Sequence, residues 1–184
     1  VKDNNSGISY QQVEASEDYP IEWYIEDYRP GGRAALAAQA EGKYFAHNCP
    51  EWQISSSEHT LAEGLHYCQG DVKISGSSQF GHVTIVAEGK INVSASSSTY
   101  NTYCDGLLFF SNYQQPLEIQ CNNDVIEMQG SGGTYTGFLF APNGGIKYAG
   151  SAHNVVSGGL IGYAVDVSGS DFSVAYLEDI CEER

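Results

Sequence analysis

VKISGSSQFGHVTIVAEGKINVSAS (72–96) carries the pattern that decides the fold. Two strand-like phrases of alternating polarity, VKISGS (72–77) and INVSAS (91–96), each close on small turn residues and flank the apolar run HVTIVA (82–87). The same phrase returns as IEMQGS (126–131), IKYAGS (146–151) and VDVSGS (165–170), with starts 19, 35, 20 and 19 residues apart. A repeat near twenty residues, built from a strand and a Gly/Ser turn, is the signature of a β-solenoid whose coils stack on one another. A second strand, led by glycine, keeps step with the first: it begins at Gly81, Gly106, Gly137 and Gly159. The interval of 35 is then one coil plus an insertion at 111–124.

Alternation with period two directs Val72 and Ile74, Ile91 and Val93, Ile126 and Met128, Ile146 and Tyr148, and Val165 and Val167 inward. Lys73, Asn92, Glu127, Lys147 and Asp166 then face water. The glycine-led strands differ, because Leu107 to Phe110, Phe138 to Ala141 and Leu160 to Ile161 are apolar on both faces. Strands of that kind are buried on both sides, so something must cover them. The segment PGGRAALAAQAEGKYF (30–45) supplies the cover: Pro30 starts a helix, alanine fills it and Gly42 stops it. Ile21, Trp23 and Ile25 pack under the same face. The expected architecture is an all-β solenoid, a right-handed parallel β-helix of about five to six coils, with an N-terminal α-helix packed on or capping it. Residues 1–19 form a flexible segment or a donor strand, 20–63 a helical cap, 64–176 the solenoid and 177–184 a tail or cap.

With 8 basic and 23 acidic residues the formal charge is −15, which excludes the Lys/Arg cluster that nucleic acid requires. No stretch approaches the ~20 apolar residues of a membrane span, and no basic and apolar leader opens the sequence, so any signal or anchor is expected to have been removed or left out. No cofactor is expected beyond a candidate calcium ion, for which Asp105, Asn122, Asn123 and Asp124 are the candidate ligands, with a further Asn/Asp group at Asp3–Asn5. Neither group has EF-hand spacing.

The five cysteines show no CxxC pattern. Cys49 with Cys68 ties the cap to the first coil and Cys104 with Cys121 staples the insertion, each closing a loop worth about 3 kcal/mol. Disulfides imply an oxidising compartment. Cys181 remains as a buried thiol or a link to another subunit, and Asn4 and Asn92 lie in glycosylation sequons.

The order IEWYIEDY, an Ala-rich helix, HVTIVAEGKI, DGLLFF and FAPNGGI resembles the β-helical domains that follow PilX-like or TadG-like prepilin N-termini in pilus-assembly and surface proteins. The resemblance covers roughly residues 20–176 and implies an extracytoplasmic β-helix tied to a pilus or the cell envelope, with no catalytic residues to carry over. The hydrophobic prepilin helix of that pattern is not in this sequence.

An enzymatic alternative is a polysaccharide lyase or hydrolase, which needs a base beside calcium or two carboxylates about 5–9.5 Å apart. Glu127 and Lys147, one rung apart, read as an exposed ion pair instead. The histidines have no HExxH spacing, and His66 and His82 are expected to meet on adjacent coils as structural groups. Self-association is expected through strand addition by Ile8, Tyr10 and Val13 of ISYQQV (8–13), or through Cys181. Adhesion would use Tyr100, Tyr103, Tyr113 and Tyr135 as exposed rings against a glycan or surface. The six threonines form no ladder, against ice binding, and the cysteines argue against a cytoplasmic bactofilin-like scaffold. The sequence therefore reads as a secreted or cell-surface, non-enzymatic structural or adhesive subunit; a polysaccharide-binding or polysaccharide-degrading β-helix and a cap-limited monomeric adhesin are the alternatives.

Overall fold

A computed structural model describes residues 23–55, 61–77, 79–114 and 124–175. They form a parallel β-solenoid of about five turns with a short helical segment at its N-terminal side.

The repeated phrase builds one face. It contains β2 (Glu51–Ile54), β4 (Asp71–Gly76), β6 (Ile91–Ala95), β9 (Asp124–Ser131) and residues 145–151 of β10 (Thr134–Ala175). Val72, Ile91, Ile126 and Ile146 lie in register, as do Ile74, Val93, Met128 and Tyr148. All eight side chains are buried, forming two apolar columns through the interior. Pairing of Ile91 with Ile126 spans the interval of 35 residues directly, so the inserted residues leave the stack unbroken.

The second face holds β1 (Tyr44–His47), β3 (Gly64–Cys68), the 85–87 end of β5 (Gln79–Ala87), β8 (Leu107–Ser111) and residues 138–140 of β10. Every residue of β3 and β8 is buried because helices close the outer side. Leu65, Tyr67, Val86, Leu107 and Phe110 pack there against Ile25, Tyr28, Ala34 and Ala38. Trp23 adds its ring to Phe138 and Phe140, each 5.3 Å away.

A third, shorter face was not legible as a separate strand set. Residues 79–82 of β5, β7 (Thr99–Asn101) and 134–135 of β10 stack with Phe80, Tyr100 and Tyr135 in register. β10 runs 42 residues without a break because successive faces follow one another through extended corners. Its later part stacks on its earlier part: a Cβ on Gly158 would lie 2.1 Å from the Gly137 carbonyl oxygen, and one on Gly169 1.8 Å from that of Gly150.

Two boundaries differ from expectation. The solenoid begins at Tyr44 rather than at residue 64, because β1 pairs with β3 and β2 with β4. WQISSS (52–57) carries the same alternation and small-residue end as VKISGS, 20 residues ahead of it, whereas β1 has no such marker. The cover is also two helices, α1 (Ile25–Tyr28) and α2 (Arg33–Ala40), rather than one beginning at Pro30. Gly31 at φ +89 turns the chain between them, a conformation that interrupts a right-handed helix. Gly32 then caps α2 where a Cβ would come within 2.1 Å of the Glu26 carbonyl oxygen, so only glycine allows the two helices to approach this closely. Gly42, at φ +71, ends the helical segment as expected. Residues 1–22 and 176–184, which include the donor segment with Ile8, Tyr10 and Val13, together with Asn4, Ile21 and Cys181, lie outside the described residues.

Candidate functional site

The outward positions of the first face form a polar ladder. Lys73 Nζ pairs with Glu51, and Lys147 Nζ lies 3.4 Å from Glu127 Oε1. Asn92 Nδ2 donates to Glu127 Oε2 at 3.1 Å, so Glu127 bridges its neighbours on both adjoining rungs. These groups differ from rung to rung and engage one another, as an exposed cross-rung network does. The Asp124 carboxyl, at the start of β9, is raised above its ordinary value by burial, which outweighs the nearby Lys147. Lys90 places its ammonium 5.3 Å from the centre of the Tyr113 ring, at the base of the insertion. Cation and aromatic ring give this corner a mixed apolar and charged character.

Beside the ladder, the corner that follows the repeated phrase opens as a shallow trough of about 500 Å³, lined by Ser96, Gln129, Ser131, Gly150 and Ser168. Its hydroxyls and amide suit a neutral polar ligand better than a charged one.

The helical segment is held by a second network. Arg29 grips Glu88 through Nε at 2.6 Å and Nη2 at 3.1 Å, while Tyr67 and Asn112 donate to the same carboxylate at 2.8 and 2.9 Å. Burial works against ionisation of Glu88, but these donors outweigh it and hold the carboxyl below its ordinary value. Asp105 forms the other anchor. Asp105 and Gly106 both have positive φ, and Leu107 N–H donates to the Cys104 carbonyl at 3.0 Å, closing a turn of the Asp-Gly type I′ kind. The Asp105 carboxylate accepts from Tyr28 Oη at 3.0 Å and its carbonyl from Trp23 Nε1 at 3.2 Å.

Several candidate residues take other roles. Tyr100 and Tyr135 are not exposed rings: they are 0% and 3% accessible and pack inside the coil, Tyr100 against Phe80 and Tyr135 edge-on to Tyr148. Each is the inward residue of the third face, and the signal that places them there is their alignment with Phe80. Tyr103 is partly exposed but bonds Glu41 at 2.8 Å and belongs to the helix anchorage. Tyr113 is partly exposed beside Lys90. Asp105 is likewise committed to the helical segment, Asn122 and Asn123 lie outside the described residues, and no metal-binding group of three ligands occurs among the described residues. His66 meets His47 rather than His82, because its partner position on β5 is Ile85, three residues beyond His82, while β1 lies on its other side. His82 instead bonds the Thr102 carbonyl at 3.0 Å.

No sulfur–sulfur bond joins the described cysteines. Cys49 does lie against the buried Cys68 thiol, whose pKa is raised chiefly by burial. Cys121 lies outside the described residues, so the Cys104 pairing does too. No helix among the described residues is long and apolar enough to cross a membrane.

The model of a family described as a domain of unknown function, DUF7305, matches residues 2–183, and the chain belongs to that family. No curated protein and no solved structure matches it.

Proposed function

We propose that this member of the DUF7305 family is a non-enzymatic structural or adhesive subunit at the cell surface, associated with a pilus or filament. The observation that carries the reading is the mutual engagement of the outward groups: Lys73 with Glu51, and Lys147 and Asn92 with Glu127. Such a face stiffens the stack and leaves its polar groups partnered by one another. The last described rung supports the same reading. Val165 and Val167 are only half-buried there and Tyr163 is 56% exposed, so this rung presents strand residues. A rung of this kind is a template for another strand, supplied by a second copy or a different subunit. Deleting residues 1–19 tests the donor-strand form: loss of assembly supports it, and unchanged assembly excludes it.

In the oxidising surroundings this function requires, Cys49 and Cys68 form a disulfide that fastens the first coil to the second. Non-reducing peptide mapping should recover the linked pair; recovery of both as free thiols from secreted material would contradict it.

Polysaccharide binding is the second reading, favoured by the trough at Ser96 and Gln129. Glycan binding that is lost in Gln129→Ala supports it. Turnover of a polysaccharide or glycoside, with or without calcium, would overturn the non-enzymatic reading.

A further inference from the structure

At the N-terminal mouth of the solenoid four planar side chains stack in one direction. Phe45 lies 4.7 Å from His66, His47 3.6 Å from Trp52 and His66 5.3 Å from Trp52, with interplanar angles of 13–17°. The rings come from β1, β2 and β3, so the stack joins the first coil to the second.

Within it, the hydrogen bonds fix the protons. His66 Nε2 is 2.7 Å from the Ala62 carbonyl oxygen, which only accepts, so that nitrogen carries the hydrogen and Nδ1 of a neutral ring is a bare acceptor. His47 Nε2, 3.2 Å from it, must therefore donate. A proton taken up by His47 goes to its Nδ1 and leaves this bond intact. Once His47 is charged, a proton on His66 can go only to Nδ1, where it sets N–H against N–H.

Among the described residues no counter-charge relieves that arrangement. On β2 the Glu51 carboxylate is engaged by Lys73 on the outer face, and just before β3 Glu63 turns toward Gly81. On β3 the Cys68 thiol lies beside Cys49 and Tyr67 donates to Glu88 under the helices, while Tyr44 on β1 bonds the Tyr28 carbonyl. On β4, Asp71 accepts from Lys90 N–H at 2.8 Å and Lys73 holds Glu51. His66 itself is 2% exposed.

We propose that His47 and His66 form an acid-sensitive latch: neutral, they close the first coil onto the second, and doubly protonated, they release it. Release frees β1 and β2, which sit at the two ends of the strand order and are bonded along one edge only among the described residues. It thereby exposes the edges of β3 and β4 to a new strand. The titration of His66, pushed down to about 4 chiefly by burial, sets release in mild acid rather than at neutrality.

The full chain is tested by amide hydrogen exchange between pH 7 and 4.5, corrected for the intrinsic rate, together with the histidine Hε1 proton resonances. Exchange at Leu65 and Gln69, whose amides donate to the Lys43 and His47 carbonyls, should accelerate at least tenfold on acidification, while Val93 in the central β6 does not. His66→Gln, which retains a donor toward Ala62 and an acceptor toward His47 without titrating, should remove the acceleration. The inference is overturned by unchanged exchange in the wild-type protein, by equal acceleration in β6, by a His66 resonance titrating at or above its ordinary pKa, or by the same acceleration in His66→Gln.

Discussion

Glu88 shows how a single carboxylate fastens a helical segment to a solenoid. It accepts from Arg29, Tyr67 and Asn112, which belong to three different parts of the chain. Glu88→Ala should cost about 2 kcal/mol, the scale of a lost charged hydrogen bond, read as a fall in the denaturation midpoint. Tyrosines give a sharper contrast. Tyr100→Ala should cost about 3–5 kcal/mol as a large-to-small core substitution, whereas Tyr113→Ala, at a half-exposed ring, should stay within about 1 kcal/mol. Equal effects would contradict the assignment of Tyr100 to the interior. His66 and Glu88 act in the same direction on the response to pH, against the raised carboxyl of Asp124. Neutral His66 stabilises the fold above its ordinary value of 6.5, and that contribution, on the order of 3 kcal/mol, is lost as pH falls toward about 4. Glu88, depressed in the fold, contributes above the ordinary carboxylate value and loses its contribution as pH falls further. Thermal melts from pH 7.5 to 4 should therefore decline monotonically; a rise on acidification would contradict both.

Among the elements, the strands of the repeated phrase were the most legible, because an inward apolar pair every second residue specifies one face and one register. The burial of Leu107 to Phe110 on both sides is legible in the same way, and it requires a cover such as the helices provide. Three elements escaped. β1 and β2 are only four residues each: YFAH carries too little pattern to mark a coil, and in WQISSS (52–57) tryptophan and serine replace the valine and glycine of VKISGS, which disguises the repeat. β7, three residues long, cannot display a period at all, and its inward Tyr100 therefore reads as a loop aromatic. The break between α1 and α2 was hidden by the strong tendency of proline to begin a helix; the Gly-Gly pair after it decides the geometry. Gly32→Ala should cost about 1–3 kcal/mol, since its Cβ meets backbone rather than a movable side chain. Circular dichroism melting would detect this, and an unchanged midpoint would contradict the close packing of the helices. For the candidate site, residue identity was readable and orientation was not. Lys147 and Glu127 fall on neighbouring rungs by spacing alone, while the stack of Phe45, His47, Trp52 and His66 depends on β1, which carries no copy of the repeat.

As a whole molecule, a stack in which each coil touches only its neighbours should lose protection from its ends inward. Amides of β5, β6 and β8 should exchange most slowly, those of β1 and β2 and of the last rung faster; uniform protection would contradict the solenoid's nearest-neighbour energetics. The net charge of −15 keeps copies apart at low ionic strength, so self-association should strengthen as salt screens it. Light scattering over a salt series reads this, and weaker association at high salt would argue for ion-pair contacts between copies. The central claim, a structural or adhesive subunit at the cell surface, is tested most directly by immunogold electron microscopy of the native cells. Label along the envelope or on filaments extending from it is the predicted result; label confined to the cell interior would contradict the account.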